Sequence, residues 1–406
     1  MAQNQSNRKN KIGNSIIILL SGIGLIVCIT ALFPQVRRMI LDYAIEHVMH
    51  RETYTYHLWL KVMLSYAVCC ICFILFFDYC TLTNSGRSFV KKTKQKIKDC
   101  LSEIDFRSFL KPAFIMSGVY LLGILTIIRA NVLYRDDIWR AADGSRGWLF
   151  GGFSRYISEF LSIFIHADVV LTEISPLLQL LAILILSLSS VLLVYIIGNK
   201  KITVVGLLAS IPLGLSPYFL ECLSYKFDAS YMALSILASI VPFLFITRKV
   251  FFLLISIISL LIMCSTYQAA SGIYMMIAVV LCFQHWNSRE KTNKEILYFL
   301  GTAVFAFCFT MLLFRFFFMK PLSIESAEYN ISTEMLSISH IISGALDNIK
   351  EYVMTVNHDF GMIWKTGIVI VLLFFITKSV YRSAQRKILS FFVSIPVIAL
   401  SFILSF

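Results

Sequence analysis

The sequence predicts an all-α polytopic membrane protein, with about eleven transmembrane helices and amphipathic helices outside the bilayer. Three observations lead there. Hydrophobic residues make up 58% of the 406 positions and charged residues only 15%, with a mean hydropathy of +0.79. The apolar residues collect in runs of roughly 17–25, the length that crosses a hydrocarbon core. The runs are solid, without the alternation of a β-barrel strand. Backbone in hydrocarbon must satisfy its own hydrogen bonds, so each run reads as a helix.

In chain order the expected spans are 12–33, 57–77, 112–129, 174–198, 202–218, 229–247, 250–265, 271–285, 296–318, 360–377 and 388–405. The first follows the polar head MAQNQSNRKNK. It is too long for a signal peptide and no small-residue cleavage site follows, so it reads as an uncleaved span. The net charge of +13 lies in short loops between spans, where it orients the chain; nothing in it points to nucleic acid. Arg8/Lys9/Lys11, Arg87 to Lys98, Lys200/Lys201, Arg248/Lys249, Arg289/Lys291/Lys294 and Lys378 to Lys387 alternate correctly with a cytoplasmic N-terminus. Segments 34–56, 130–173, 219–228, 266–270 and 319–359 then fall outside. The run Lys91–Lys98 reads as a topology signal and a patch for anionic headgroups.

Two external segments have helical periodicity. Phe153, Tyr156, Ile157, Phe160, Leu161, Phe164 and Ile165 form an apolar stripe, with Arg155, Ser158, Glu159, Ser162 and His166 on the other face. Such a helix lies in the headgroup region. Near 333–353, Met335, Ile338, Ile342, Ala345, Ile349 and Val353 form a second stripe. The ten cysteines fall mostly within apolar runs. Cys69, Cys70 and Cys72 lack partners at ligand spacing and read as small buried hydrophobes. No P-loop or dinucleotide fingerprint is present.

Three polar motifs fall on the external side. Asp136 and Asp137, flanked by Arg135 and Arg140, are adjacent and cannot share a helix face. One carboxylate is expected to face a substrate while the other caps the helix beginning near Ile138. Lys226 and Asp228 follow a span broken by Pro212, Gly214 and Pro217, a break that opens room for a ligand; a surface ion pair is the plainer alternative. Tyr267 and Gln268 occupy an external turn. Arg315, inside an apolar run, is either paired or snorkels outward past Met319.

YRDDIWRAADGSRGWLFGGFSRYISEFL, LSYKFDASYMALSI and STYQAA resemble segments of the O-antigen glucosyl transferase II family, serotype-converting enzymes of GT-C type. The resemblance covers residues 115–380. It implies a GT-C-like core over 112–380, preceded by a two-span extension at 1–111 and followed by a C-terminal span at 381–406. It further implies a polyprenyl-phosphate-linked sugar donor, usually glucose, and a surface polysaccharide acceptor such as O-antigen of lipopolysaccharide. The setting would be the bacterial cytoplasmic (inner) membrane, with the site facing the periplasm and a separate donor synthase and flippase as partners. Asp136 and Asp137 match the acidic pair, Arg140 and Arg155 the following basic positions, Tyr225, Lys226 and Asp228 the second motif, and Tyr267 and Gln268 the third.

The residues support compatible chemistry. A phosphate leaves easily, so cleavage needs positive charge, from Arg140, Arg155 or Lys226. The acceptor hydroxyl needs a carboxylate base, Asp137 or Asp136, with Asp137 preferred. Tyr225, Asp228, Tyr267 and Gln268 would shape the sugar pocket. No cofactor is required. A divalent metal on Asp136, Asp137 and Asp143 is neither required nor excluded, and metal-independent transfer is expected. The competing readings are a lipid-sugar flippase or other transporter, which would place polar groups at the midplane, and a membrane protein without turnover.

Overall fold

A computed structural model describes residues 83–102, 104–144, 153–167, 170–319 and 341–403, with scattered positions between 71 and 81. The expected spans 12–33 and most of 57–77 lie outside the described residues. Residues up to Ile104 form one unit and Asp105–Phe406 another. In the first, α1 (Asn84–Ser102) is a polar, basic helix. The second consists of α2 (Arg107–Ala130), α3 (Asp136–Asp143), α4 (Tyr156–His166), α5 (Leu177–Ile197), α6 (Val204–Ser210), α7 (Pro212–Leu215), α8 (Pro217–Ser224), α9 (Ala229–Ile240), α10 (Lys249–Cys264), α11 (Ser271–Ser288), α12 (Asn293–Leu313), α13 (Ile341–Asp359), α14 (Met362–Tyr381) and α15 (Lys387–Ile403). No strand occurs among the described residues.

The all-α membrane architecture stands, and the described residues carry fewer full-length spans than the eleven expected of the whole chain. Five helical stretches among the described residues are long and apolar enough to cross a membrane: Arg107–Ala130, Leu177–Ile197, Gln268–Ser288, Asn293–Phe318 and Met362–Tyr381. A sixth arises if Val204–Leu215 and Pro217–Ser224, bent by 55° at their junction, count as one span. The expected spans 229–247, 250–265 and 388–405 appear as shorter apolar helices. The reason is geometric: the 16 residues of α10 rise only ~24 Å at 1.5 Å each, short of the ~30 Å hydrocarbon core. The bounds of these three helices agree with the expected ones to within a few residues; it is their length that falls short of a full span.

The helix starts and breaks follow local chemistry. Thr203 Oγ1 accepts from the Gly206 amide to begin α6. Ser216 Oγ accepts from the Phe219 amide, with Pro217 in the first turn of α8, where proline's missing donor costs nothing. The bend predicted at Pro212–Pro217 is thus a capped restart. Thr292 and Glu295 form a reciprocal capping box for α12.

Apolar side chains gain nothing by leaving lipid for a helix interface, so packing here depends on small residues and interhelical hydrogen bonds. α9 sits at the centre, burying Ala229, Ser230, Ala233, Ser235, Ala238 and Ser239. It packs on α5, which packs in turn on α2. Tyr120 of α2 is fully buried; its hydroxyl bonds Ser190 Oγ and donates to the Ser210 carbonyl at 3.1 Å. Phe243, Phe252, Tyr274 and Phe299 pack ring on ring at centroid distances of 5.0–6.4 Å across α9–α12. By contrast, Ile363, Val371 and Phe374 of α14 are exposed, as lipid-facing residues should be.

The Tyr120 hydroxyl reaches both α5 and α6 from α2, and Ser117 Oγ adds a second bond from α2 to Ser187 of α5 at 3.0 Å. Tyr120→Phe should lower unfolding free energy in detergent micelles by about 1–2 kcal/mol. A change below a few tenths would show that the Tyr120 hydroxyl does not hold the three helices.

Candidate active site

The three polar motifs, remote in sequence, converge at one end of the helices. α3 supplies Asp136, Asp137 and Arg140; α4 and its approach supply Arg155; the turn between α8 and α9 supplies Tyr225 to Asp228; the turn after α10 supplies Tyr267 and Gln268. α4 is fixed there by its amides: Ile157 and Ser158 both donate to the Ser265 carbonyl, at 3.1 and 3.4 Å. Its polar face, Ser158, Glu159, Ser162 and His166, is buried against the protein. Phe160, Ile163 and Phe164 face outward. The amphipathic stripe is therefore real, with the polar side turned to the protein core and the apolar side available to lipid.

The aspartate pair is divided by geometry. Asp137 is fully buried. Its Oδ2 accepts from the Lys226 amide at 2.8 Å and the Tyr134 amide at 3.4 Å, and its Oδ1 accepts from the Phe227 amide at 3.4 Å. Burial pushes its carboxyl above the ordinary carboxylate range, and the backbone donors only partly offset this. Asp136, beside it, is half-buried, and no hydrogen bond or ion pair occupies its carboxylate. Both stand in the first turn of α3, where the helix dipole favours negative charge. Arg135, just before them, has φ 46° and ψ −107°, a costly backbone for arginine. Gly144 ends α3 at φ +60°, a left-handed turn suited to glycine.

Each buried cation has a partner. Arg140 and Asp228 are both nearly inaccessible and meet at 2.6 Å. Burial would lower the Arg140 pKa, but Asp228, with Asp136 and Asp137 nearby, raises it. Asp228 also reaches Arg155 at 3.4 Å. Arg155 stays partly open, its guanidinium 5.0 Å from the Phe153 ring centroid and 5.2 Å from that of Tyr267. Two arginines share Asp228, and Arg155 holds the longer and more open of the two contacts. Lys226 is buried; its ammonium donates to Asn131 Oδ1 at 2.7 Å, the Asn131 carbonyl at 3.2 Å and Glu173 Oε1 at 3.3 Å. Asn131 caps the C-terminus of α2, where a cation is favoured.

Beside this cluster a cavity of about 520 Å³ opens at the break between α7 and α8, walled by Tyr218, Glu221, Tyr225, Ile236 and Tyr267. Tyr225 and Tyr267 thus stand between charge cluster and cavity. Burial, then Asp136, pushes the Tyr225 hydroxyl up to about 12; burial likewise raises Tyr267. Both remain neutral donors. Gln268 is exposed and donates to the Phe153 carbonyl at 3.3 Å, outside the cavity wall. The second amphipathic helix is found as α13; residues 333–340 of that expectation lie outside the described residues. Its last residue, Asp359, accepts from Tyr218 Oη at 3.1 Å, which brings α13 to the cavity rim. Arg315 lies exposed in a π-helical turn, Phe314–Phe318, that ends its span. Among the described residues no three His, Cys, Asp or Glu side chains cluster as metal ligands.

Sequence reasoning passed over Glu221, Glu173, Asn131 and Tyr134. Glu221 carries no motif of its own; its only signal was its place four residues before Tyr225 in the broken span.

Asp137→Asn keeps one acceptor oxygen but sets an amide group against backbone donors. We expect about 2–3 kcal/mol lower stability and faster hydrogen exchange at the Lys226 and Phe227 amides. An unchanged melting curve would show that Asp137 is not the anchor of this turn.

The family description Glucosyl transferase GtrII matches residues 125–406. A protein of Salmonella phage P22, described as an uncharacterized 55.3 kDa protein in the gtrB 5' region, is 25% identical over 245 residues, 59% of this chain and 48% of that relative. The chain thus spans about half the length of the curated relative it matches. No solved structure matches. All three polar motifs fall inside the matched range, and the chain belongs to the glucosyl transferase GtrII family.

Proposed function

We propose that the protein is a membrane glucosyltransferase that moves glucose from a polyprenyl-phosphate donor to a surface polysaccharide such as O-antigen, at the periplasmic face of the bacterial inner membrane. The observation that carries this reading is a cavity at a broken span, with Arg155, more open than Arg140 or Lys226, against its Tyr267 wall. A lipid-linked donor reaches such a site from the bilayer, and the family supplies the sugar.

The chemistry follows from charge. The donor is a phosphodiester with one negative charge. When the bond from the anomeric carbon to the phosphate oxygen breaks, its electron pair stays on that oxygen, and the departing lipid phosphate gains a second charge. Arg155 is more open than Arg140 or Lys226 and stabilises that gain. Arg140 holds Asp228 in place, and Lys226 braces the end of α2 against Glu173. The acceptor hydroxyl attacks the anomeric carbon from the opposite side, inverting it, and gives its proton to a base. Asp136 has the open carboxylate for that task, while Asp137 positions the turn. This reverses the preference drawn from sequence, for the reason that Asp137 is enclosed by backbone donors. The cluster lies at one end of the helices rather than midway, which favours transfer over transport.

Labelled polyprenyl-phosphate-glucose and host polysaccharide, supplied to membrane vesicles, test this. Wild-type chain should transfer label, and Asp136→Asn at matched expression should transfer ~10²–10⁴-fold more slowly. Transfer at the wild-type rate by Asp136→Asn would remove it as the base. No transfer by wild-type chain, with flipping of the labelled lipid in its place, would overturn the reading.

A further inference from the structure

Among the described residues that line the cavity one side chain is charged, and it belongs to no motif. Glu221 lies in α8 and lines the cavity, with 46% of its side chain open. Its Oε1 is fixed: Tyr134 Oη donates to it at 2.8 Å, and Arg135 Nη2 stands 3.8 Å away. No hydrogen bond occupies Oε2. One oxygen is therefore held and the other is free beside the cavity. Tyr134 itself is braced edge-on against Tyr225 at 5.1 Å, so the carboxylate is tied to a cavity wall. The Glu221 hydrogen bond raises the Tyr134 pKa, keeping it a donor and Glu221 an acceptor.

The rest of the wall is aromatic and aliphatic, including Tyr218, Tyr225, Tyr267 and Ile236. A hexose has two apolar C–H faces and a rim of hydroxyls. Flat rings receive the faces, and a preset carboxylate oxygen receives the hydroxyls. A free anion would be repelled by Glu221, so the cavity suits a neutral sugar. The position also fits. Arg155 stacks on the Tyr267 ring, and Tyr267 is a cavity wall. A phosphate at Arg155 therefore has its sugar beside the cavity.

We propose that Glu221 is a substrate-binding residue that accepts hydrogen bonds, through Oε2, from hydroxyls of the donor sugar. This rests on the lipid-linked donor reading above. It makes the Tyr134–Glu221 pair a determinant of which sugar is held, separate from the groups that hold phosphate.

The test is binding of two probes to the full chain in lipid nanodiscs: polyprenyl-phosphate-glucose and bare polyprenyl phosphate. Wild-type chain should favour the sugar-bearing lipid. Glu221→Ala should weaken binding of that lipid roughly tenfold or more and leave the bare lipid within about twofold. Glu221→Gln, which keeps the shape and one acceptor, should lose less. Tyr134→Phe, which frees Oε1, should fall between wild type and Glu221→Ala. If Glu221→Ala keeps the full preference for sugar, or loses both lipids equally, Glu221 is structural and the proposal fails while the donor reading stands. If the wild-type chain does not distinguish the two lipids, the donor reading falls, and this proposal with it.

Discussion

The site depends on one buried carboxylate enclosed by backbone amides. Asp137 gathers the amides of Tyr134, Lys226 and Phe227, joining segments 89 and 90 residues apart in sequence. Three charge-assisted bonds to buried amides give the turn a single position. The consequences run outward. With Lys226 and Phe227 fixed, Asp228 is delivered to Arg140 and Arg155, and Tyr225 to the cavity wall. Lys226 is swung toward the end of α2. Loosening that anchor would move each of these groups together.

The charges around the anchor show how a membrane protein keeps cations near lipid. An isolated buried arginine is expensive, and a buried pair is tolerated only when geometry is good. Arg140 and Asp228 meet that condition by distance alone, at 2.6 Å, since Arg140 Nη1 and Asp228 Oδ1 form no aligned hydrogen bond. Lys226 meets it with Asn131 and Glu173. Arg155 differs, sharing an aspartate already engaged and resting on two rings. Ring faces stabilise a guanidinium without neutralising it. The arrangement therefore leaves Arg155, more open than Arg140 or Lys226, with the longer ion pair.

Much of this was legible in the sequence, for identifiable reasons. Hydropathy located α2, α5, α11, α12 and α14, because a lipid-facing helix must be apolar throughout. Helical spacing found α4. The proline and glycine positions found the break before α8, and the motifs found Arg140, Arg155, Tyr225, Asp228 and Tyr267. Three things were not legible. Whether the short apolar helices at 229–245, 249–264 and 387–401 are full spans was one, since their expected bounds were nearly right and only their length falls short. The division of labour between Asp136 and Asp137 depended on amides donated from 89 residues away, and backbone donors leave no trace in residue identity. Glu221 and Glu173 were single carboxylates in unremarkable surroundings, given meaning only by Tyr134 and Lys226.

The unequal contacts of Asp228 bear on how such a site can accept an anion. Asp228 supplies a counter-charge to Arg155 at 3.4 Å. The contact with Arg140 is shorter, at 2.6 Å, and more deeply buried. Coulomb energy rises as separation and local dielectric fall, so the Arg140 contact is the stronger of the two. On the proposed reaction, an incoming phosphodiester competes for the longer contact and leaves the shorter one in place. Asp228 then remains neutralised by Arg140 and does not repel the phosphate. A single arginine paired with a single aspartate could not do this: the anion would strand a buried carboxylate. The second arginine is thus what allows the first to be released, and both are anchored through the same short turn that Asp137 holds.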